Sequence, residues 1–272
     1  MQTPQTSLEC VEPPVLLENI YSEHIERENE ENRKNRYEGN EHYYHASGAG
    51  TCSRKLYFQS VVKAEATNPA TKTGARIMRL GTLLHNDFEK ALLPHTIPTI
   101  HSTIYSNSNE YTVRSYLGQW NFYVEEEVLI SELNVRGFYD ALAKKNSGEL
   151  YLFDLKSAAD YSFKLQFGMG KRTHMKHQEM QLATYGYAIK EKYGRLDGMY
   201  LAYYNKNTSV MKYKEVPLST VSMAYMFWAN VKKEHSSGLP SFVEAVSPVQ
   251  KWECNYCQFY DLCKPPYKRI AK

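Results

Sequence analysis

The order of the predicted elements indicates an α/β or α+β domain in which a central sheet is flanked by helices. Apolar periodicity gives helix, strands, helix, strands and helix in succession along the chain. Apolar residues make up 42% of the 272 residues, which is enough to build a hydrophobic core. The sequence contains no internal repeat, so these elements are expected to share one core.

The first 45 residues differ in charge from the rest of the chain. They hold ten Glu against four Lys or Arg, a net charge of −6, whereas the remainder carries a net charge of +9. We therefore predict an acidic leader over residues 1–45, forming a peripheral or partly mobile helix, and a single domain over residues 46–272. A basic domain behind an acidic leader permits a polyanionic partner.

No apolar run in the sequence approaches the roughly 18 residues that a membrane span requires. No charged segment followed by an apolar one opens the chain either. We expect a soluble cytoplasmic protein without a membrane partner.

The first half of the predicted domain contains helices followed by strands. A short helix can start at Thr51 or Ser53, and a loop over residues 61–74 leads to a helix over residues 75–93. That helix has apolar residues at helical spacing, and Pro94 marks its end. Three strands are predicted next, over residues 121–130, 133–144 and 149–156.

The second half of the predicted domain alternates helices and strands. A helix over residues 174–192 precedes two strands, over residues 199–204 and 210–216. A helix over residues 220–235 follows, with Met223, Met226, Phe227 and Val231 on its inner side. The tail is then expected to run extended to a group of cysteines.

An acidic hairpin is the most informative part of the sequence. If residues 146–148 form a three-residue loop with Gly148 in a left-handed conformation, Asp140 falls directly opposite Asp154. Carboxylates this close repel, so one is expected to be neutral unless a cation lies between them. Mg²⁺ bound by oxygen ligands satisfies this arrangement, and Lys156 shares the face of Asp154. An ordinary ion pair at a strand end also explains the Asp154-x-Lys156 pattern.

Four of the five cysteines form a pattern typical of a metal site. Cys254, Cys257 and Cys263 lie within ten residues, and Cys52 lies about two hundred residues earlier. Four thiolates can hold zinc or an iron–sulfur cluster, and the spacing alone slightly favours zinc. Cys10, in the acidic leader, is not expected to take part.

Two predicted helices carry polar side chains that could complete a site around the acidic hairpin. His85 lies on the first, where it could be a third metal ligand, although a single helical His is usually structural. Gln178, Gln181 and Tyr185 form a polar stripe on the second helix, which could equally be an exposed face.

Taken together, these motifs resemble those of RecB-type exonucleases, a branch of the PD-(D/E)xK nuclease superfamily. The motifs are Gly81-x-x-x-His85, Gly137-x-x-Asp140, Asp154-x-Lys156 and Gln181-x-x-x-Tyr185, in this order. The bracketing cysteines resemble those of the iron–sulfur subgroup, which includes CRISPR-associated exonucleases, nuclease domains of helicase–nucleases, and short phage and archaeal proteins. The likeness covers roughly residues 47–264. One departure is Tyr139, which stands where the superfamily pattern has proline.

The resemblance implies a restriction-endonuclease-like core and a role for each motif residue. His85, Asp140, Asp154 and the carbonyl of Leu155 would bind Mg²⁺ or Mn²⁺, and Lys156 would assist the nucleophilic water. Gln181 and Tyr185 would orient the site. A [4Fe–4S] cluster would join the N- and C-terminal segments of the domain through Cys52, Cys254, Cys257 and Cys263.

The resemblance further implies that the substrate is DNA, as single strands or ends. The residues expected to contact it are Arg54, Lys171, Arg172, Lys176 and His177. The basic run before the second long helix suits phosphates, because helix N-termini and positive charge both attract them, although it could also be a solvated loop. Partner proteins from replication, recombination or CRISPR adaptation are possible, and a phage-encoded form would act in the host-cell cytoplasm.

Two other functions are compatible with the sequence. One is a non-catalytic iron–sulfur subunit that binds DNA, although such a subunit would have no need to keep Lys156. The other is a structural or adaptor protein held together by zinc.

Overall fold

The computed structural model describes residues 13–37, 43–92, 120–167, 176–242 and 251–265. Its helices are α1 (Pro13–Tyr37), α2 (Ser53–Leu56), α3 (Lys72–Leu92), α4 (Asp160–Phe167), α5 (Lys176–Tyr193), α6 (Thr220–Ser236), α7 (Lys251–Tyr256) and α8 (Tyr260–Cys263). Its strands are β1 (Tyr44–His45), β2 (Trp120–Ile130), β3 (Val135–Lys145), β4 (Leu150–Ala158), β5 (Gly198–Asn205) and β6 (Met211–Glu215).

The chain divides into two compact units. The helical unit comprises Met1–Glu41 and Ala70–Leu80, and the sheet unit comprises His42–Pro69 and Gly81–Lys272. Helix α3 therefore contributes residues to both units. The division into a leader over residues 1–45 and one domain beyond it stays a prediction.

The helical unit pairs α1 with the first half of α3. Ile25 is its buried apolar residue, at 1% exposure. Arg76 forms an ion pair of 2.9 Å with Glu18 and donates a hydrogen bond of 3.1 Å to Ser22, so the two helices are joined mainly by polar contacts. The helix predicted within residues 1–45 corresponds to α1.

The sheet unit is built on one mixed sheet, as predicted for an α/β or α+β domain. In order of hydrogen bonding, β1 pairs with β3, β3 with β4, β4 with β5 and β5 with β6, and β2 also pairs with β3. The β1–β3 and β4–β5 pairs are parallel, and the β2–β3, β3–β4 and β5–β6 pairs are antiparallel. Because β2 takes one edge of β3, strands β4 and β1 share its other edge, β4 at residues 141–144 and β1 at residues 135–136.

Helices α5 and α6 cover one face of the sheet and close the hydrophobic core. Leu182 and Ile189 of α5 and Trp228 of α6 are buried together with Leu152 and Leu201 of the sheet. The indole of Trp228 donates a hydrogen bond of 2.9 Å to Thr184, which satisfies its single donor inside the core. Among the described residues, no helix has the length and apolar character needed to cross a membrane.

The inner face predicted for α6 is partly wrong. Phe227 and Val231 are buried, but Met223 and Met226 are 60% and 55% exposed. The residues that face the core are Val221, Ala224, Phe227, Trp228 and Val231, which recur at helical spacing. Ala224, a small residue, therefore faces the core, whereas the larger methionines on either side of it do not. Helix α4 was not predicted at all.

Candidate active site and cysteine pocket

The β3–β4 hairpin has the predicted loop and the predicted register. The N–H of Gly148 donates to the carbonyl of Lys145 at 2.8 Å, and Gly148 has a φ of +100°, which favours glycine. Ala141 pairs with Phe153 and Leu142 pairs with Leu152. This register places Asp140 and Asp154 at facing positions, just beyond the last paired residues.

The two strands diverge at Asp140. The ladder ends at the Ala141–Phe153 pair, and the carboxylate of Asp140 accepts a hydrogen bond of 2.5 Å from the backbone N–H of Leu155. A side-chain oxygen therefore replaces the backbone acceptor that a continued ladder would supply. This side-chain contact separates the two strands next to the Asp154 side chain.

Asp154 is a buried carboxylate with a close cationic partner. It is 1% exposed, and the Nζ of Lys156 lies 2.6 Å from its Oδ2. Burial is the largest influence and raises the pKa of the Asp154 carboxyl, Lys156 opposes that rise, and Asp140 adds to it. The raised pKa agrees with the sequence prediction, but burial outweighs the predicted repulsion between the two acids.

A polar chain connects Lys156 to helix α5. Lys156 donates from Nζ to Oε1 of Gln181 at 3.0 Å, and Gln181 donates from Nε2 to the hydroxyl of Tyr185 at 3.1 Å. A Cβ at Gly137 would lie 2.8 Å from the ring of Tyr185, so glycine is needed there for the ring to pack. The structure thus brings together the motif residues of the hairpin and of α5.

His85 reaches the same site from α3. Its Nδ1 lies 3.6 Å from Oδ1 of Asp140. Burial lowers the pKa of His85, but the influence of the nearby Asp140 carboxylate outweighs it, so the pKa is raised overall. Glu89 lies one turn later on α3, and burial together with Asp140 raises the pKa of its carboxyl.

Glu125 is a site residue that the sequence analysis missed. It lies in β2 with a φ of 51°, between Val124, which pairs with Ala141, and Glu126, which pairs with Tyr139. Burial, followed by the charge of Asp140, raises the pKa of its carboxyl to about 8. Extending the register count from the β3–β4 hairpin to the β2–β3 pair would have placed Glu125 opposite Asp140.

The donor atoms at this site suit a hard divalent cation, although they do not enclose one. Among the described residues, no three His, Cys, Asp or Glu side chains are arranged to hold a metal ion. The Oδ2 of Asp154 is buried and accepts no hydrogen bond of normal geometry from the described residues, its neighbour being the Lys156 ammonium. Carboxylate oxygens, a carbonyl and an imidazole are nevertheless the ligand types that Mg²⁺ or Mn²⁺ accepts.

The four cysteines predicted to act together line one pocket. Cys52 precedes α2, Cys254 lies in α7, Cys263 ends α8, and Cys257 lies between those two helices. All four are free thiols, and burial raises the pKa of Cys52 to about 11 and that of Cys254 to about 12. Soft thiol donors around one cavity are chemically suited to a metal–sulfur group. Cys10 lies outside the described residues.

The predicted DNA-contacting residues fall into three groups. Arg54 is 7% exposed and contacts the cysteine pocket, which is at odds with the predicted contact to DNA phosphate. Lys176 is exposed at the start of α5, and His177 beside it is partly buried. Burial, with Lys156 and Lys55 nearby, lowers the pKa of His177 to about 4. Lys171 and Arg172 lie outside the described residues.

Comparison with solved structures finds the same fold elsewhere. The crystal structure of SSO0001 aligns with a TM-score of 0.52 at 17% identity, covering 90% of this chain and 96% of that chain. A protein from Eubacterium rectale named as a candidate exonuclease aligns with a TM-score of 0.44 at 14% identity, covering 88% of this chain and 95% of that chain. The second likeness is too weak to support an argument. No curated protein sequence matches the chain significantly.

The hairpin that carries Asp140, Asp154 and Lys156 lies within a segment that matches a family model. The model of the PD-(D/E)XK nuclease superfamily matches residues 105–264, which is more than half of the chain and includes the whole β3–β4 hairpin. The chain therefore belongs to the PD-(D/E)XK nuclease superfamily and is a nuclease, an enzyme that hydrolyses phosphodiester bonds.

Proposed function

We propose that this nuclease is a divalent-metal-dependent deoxyribonuclease, and that it acts as an exonuclease on single-stranded DNA or on DNA ends. The observation that carries the proposal is the buried Asp154 carboxylate, 2.6 Å from Lys156 and facing Asp140 where β3 and β4 diverge. A buried carboxylate needs compensating positive charge, and a catalytic cation provides it together with Lys156.

Each residue of the site has a distinct part in this proposal. His85, Asp140, Asp154 and the Leu155 carbonyl would hold Mg²⁺ or Mn²⁺, which, when bound, supplies charge stabilisation for the phosphate. Lys156, held by Gln181 at 3.0 Å, would orient the attacking water and stabilise its developing negative charge. Tyr185, 3.1 Å from Gln181, would fix that amide in place.

The start of α5 supports a polyanionic substrate. The exposed Lys176 opens this 18-residue helix, whose N-terminal amides favour phosphate. The positive charges of Lys156 and Lys55 both act on His177, so positive side chains from two other elements lie near the start of α5. Lys171 and Arg172, which lie outside the described residues, stay predicted phosphate contacts.

The proposed cleavage is tested with end-labelled single- and double-stranded DNA in Mg²⁺, Mn²⁺ or chelator. We expect metal-dependent cleavage that Asp154→Asn abolishes, and progressive shortening from one end. Circular single-stranded DNA should resist. Lys164→Ala is a matched control for Lys156→Ala, because Lys164 also pairs with an aspartate, Asp160 at 2.6 Å, but is 56% exposed. Equal activity of wild type and the Asp154 variant would refute the assigned site, and rapid cutting of circles would refute exonuclease action.

We further propose that Cys52, Cys254, Cys257 and Cys263 hold a [4Fe–4S] cluster. The support is that the four thiols line one cavity and that their spacing resembles that of the iron–sulfur subgroup. Zinc is the alternative that four thiolates also allow. Iron, sulfide and zinc contents and the absorbance spectrum of anaerobically purified protein decide between the two. Stoichiometric zinc without iron would refute the cluster.

A further inference from the structure

Arg54 is a buried charged residue in contact with Cys263 of the cysteine pocket, and the proposed nuclease site leaves it unexplained. It lies in α2, two positions after Cys52, and only 7% of its surface is exposed. Arginine is almost never fully buried unless its donors are satisfied, because its charge cannot be removed by deprotonation. The contacts of its guanidinium therefore indicate which groups the buried positive charge interacts with.

The guanidinium joins three segments of the chain. Its Nε donates to the Sγ of Cys263 at 3.3 Å, and its Nη2 donates to the carbonyl of Cys263 at 3.5 Å. Its Nη1 donates to the carbonyl of Pro240, and its central carbon lies 4.0 Å from the ring centre of Phe242. Among the described residues the guanidinium forms no ion pair with a carboxylate. Of the atoms that it contacts, the cysteine sulfur is the softest and the most reactive.

A second contact joins the same two segments. The backbone N–H of Cys52 donates to Oε1 of Glu253 at 2.8 Å, next to Cys254. The segment that carries Cys52 therefore contacts the segment that carries the later cysteines at two points. Arg54 differs from the Glu253 contact because it brings a positive charge directly against a candidate ligand sulfur.

We propose that Arg54 is a positioning residue for the cysteine pocket, holding Cys263 by an N–H···S hydrogen bond and compensating the negative charge of a metal–thiolate group bound there. The inference rests on the proposed assignment of a metal–sulfur group to the four cysteines. Four thiolates add four negative charges to the bound metal, and a buried guanidinium opposes that charge at close range.

Such a residue should set the reduction potential of the bound group. Hydrogen bonds to sulfur and nearby positive charge stabilise the reduced, more negative state, and both raise the potential. Lysine at this position would keep the charge but lose the fork that holds sulfur and carbonyl together. Glutamine would lose the charge as well. The two substitutions therefore separate the effect of geometry from the effect of charge.

The test compares wild type, Arg54→Lys, Arg54→Gln and Arg195→Gln after anaerobic reconstitution with iron and sulfide. Arg195 is the control because its guanidinium bonds Asp197 at the surface, at 2.7 Å. We expect lower midpoint potentials and faster cluster loss in both Arg54 variants, with the glutamine variant further from wild type, and no change in the control. Arg54→Lys keeps the test decisive if the glutamine variant does not fold.

The outcomes distinguish this inference from the proposed function. Arg54→Lys and Arg54→Gln with the potential and retention of wild type would overturn the role of Arg54 while leaving the cluster intact. If wild type binds zinc instead of iron, the same variants are titrated with Co²⁺, and unchanged thiolate–cobalt absorbance and affinity would overturn it. If wild type binds neither, the cofactor assignment fails together with the inference, whereas metal-dependent DNA cleavage reports on Asp154 independently.

Discussion

At the scale of single residues, the site is governed by the cost of burying Asp154. The carboxylate is 1% exposed and depends on Lys156 at 2.6 Å. Removing one partner of a buried ion pair typically costs about 3 to 5 kcal/mol, because the other charge stays uncompensated. We expect Lys156→Ala to abolish cleavage and also to lower stability by more than the roughly 1 kcal/mol of an average point substitution.

The stability loss in Lys156→Ala should depend on pH. Burial already raises the pKa of Asp154 above its unfolded value, and losing Lys156 removes the main opposing influence. A carboxyl with a raised folded pKa costs stability above that pKa and recovers it as the pH falls and the group is protonated. Denaturant unfolding at pH 8 and pH 5 should show the larger deficit at pH 8. A deficit that is equal at both values would contradict this electrostatic account.

Asp154→Asn makes the complementary prediction. The amide removes the fully buried charge, whereas Lys156, whose side chain is 15% exposed, can reach water and keeps its hydrogen bond to Gln181 at 3.0 Å. In chelator this variant should be no less stable than wild type, but added Mn²⁺ should raise its melting temperature less than that of wild type. Melting curves with and without Mn²⁺ test this. If Mn²⁺ raised the melting temperature of the variant as much as that of wild type, Asp154 would not be a metal ligand.

Glu125 gives a prediction for wild type at neutral pH. Its pKa is raised to about 8, with burial as the largest cause, so between its unfolded value and about 8 rising pH favours the unfolded state. Glu125→Gln cannot ionise, and its melting temperature in chelator should therefore fall less between pH 5 and pH 8 than that of wild type. Parallel pH profiles for the two proteins would show that Glu125 ionises freely in the folded state.

At the scale of elements, the register of the β3–β4 hairpin could be predicted from the sequence. The surroundings of Glu125 and Arg54 could be predicted only in part. Gly148 and the alternation along β4 fix the register locally, so Asp140 and Asp154 could be placed from sequence. Glu125 depends on a second strand pair and on a backbone conformation rare outside glycine, which sequence spacing does not report. The burial of Arg54 depends on contacts with residues about two hundred positions away, so its charge suggested DNA instead.

The packing of α5 against the sheet gives a prediction for Gly137. A Cβ there would lie 2.8 Å from both the Tyr185 ring and the Cβ of Ala46, so one element must shift. Gly137→Ala should destabilise the protein by about 1 to 3 kcal/mol and reduce cleavage, since Tyr185 supports Gln181. Gly74→Ala in α3 is the matched control, where the nearest atom lies at 3.3 Å. A neutral Gly137→Ala would mean that the contact relaxes freely.

At the scale of the whole sheet unit, the segments that carry the cysteines are already held together by direct contacts. The backbone N–H groups of Thr67 and Asn68 donate to the carbonyl of Gln258 at 2.8 Å and 2.9 Å, and the Asn68 side chain donates to the carbonyl of Cys257 at 3.1 Å. Hydrogen bonds of this kind can join the two segments without a metal. We therefore expect the pocket to differ from a zinc finger, whose peptide is unfolded without its ion.

A cluster bound by Cys52 and the later cysteines would nevertheless close a loop of about two hundred residues, which restricts the unfolded chain strongly. Cys257→Ala should therefore lose the cluster absorbance and melt at a lower temperature than loaded wild type. After chelation and removal of the cluster, the two proteins should melt at similar temperatures, because the contacts to Gln258 remain. Cys10→Ala is the control and should keep both colour and melting temperature. If chelated wild type proved unfolded at room temperature, the cluster rather than these hydrogen bonds would hold the two segments together. The folded state would then depend on ligand binding, as it does in obligate metalloproteins.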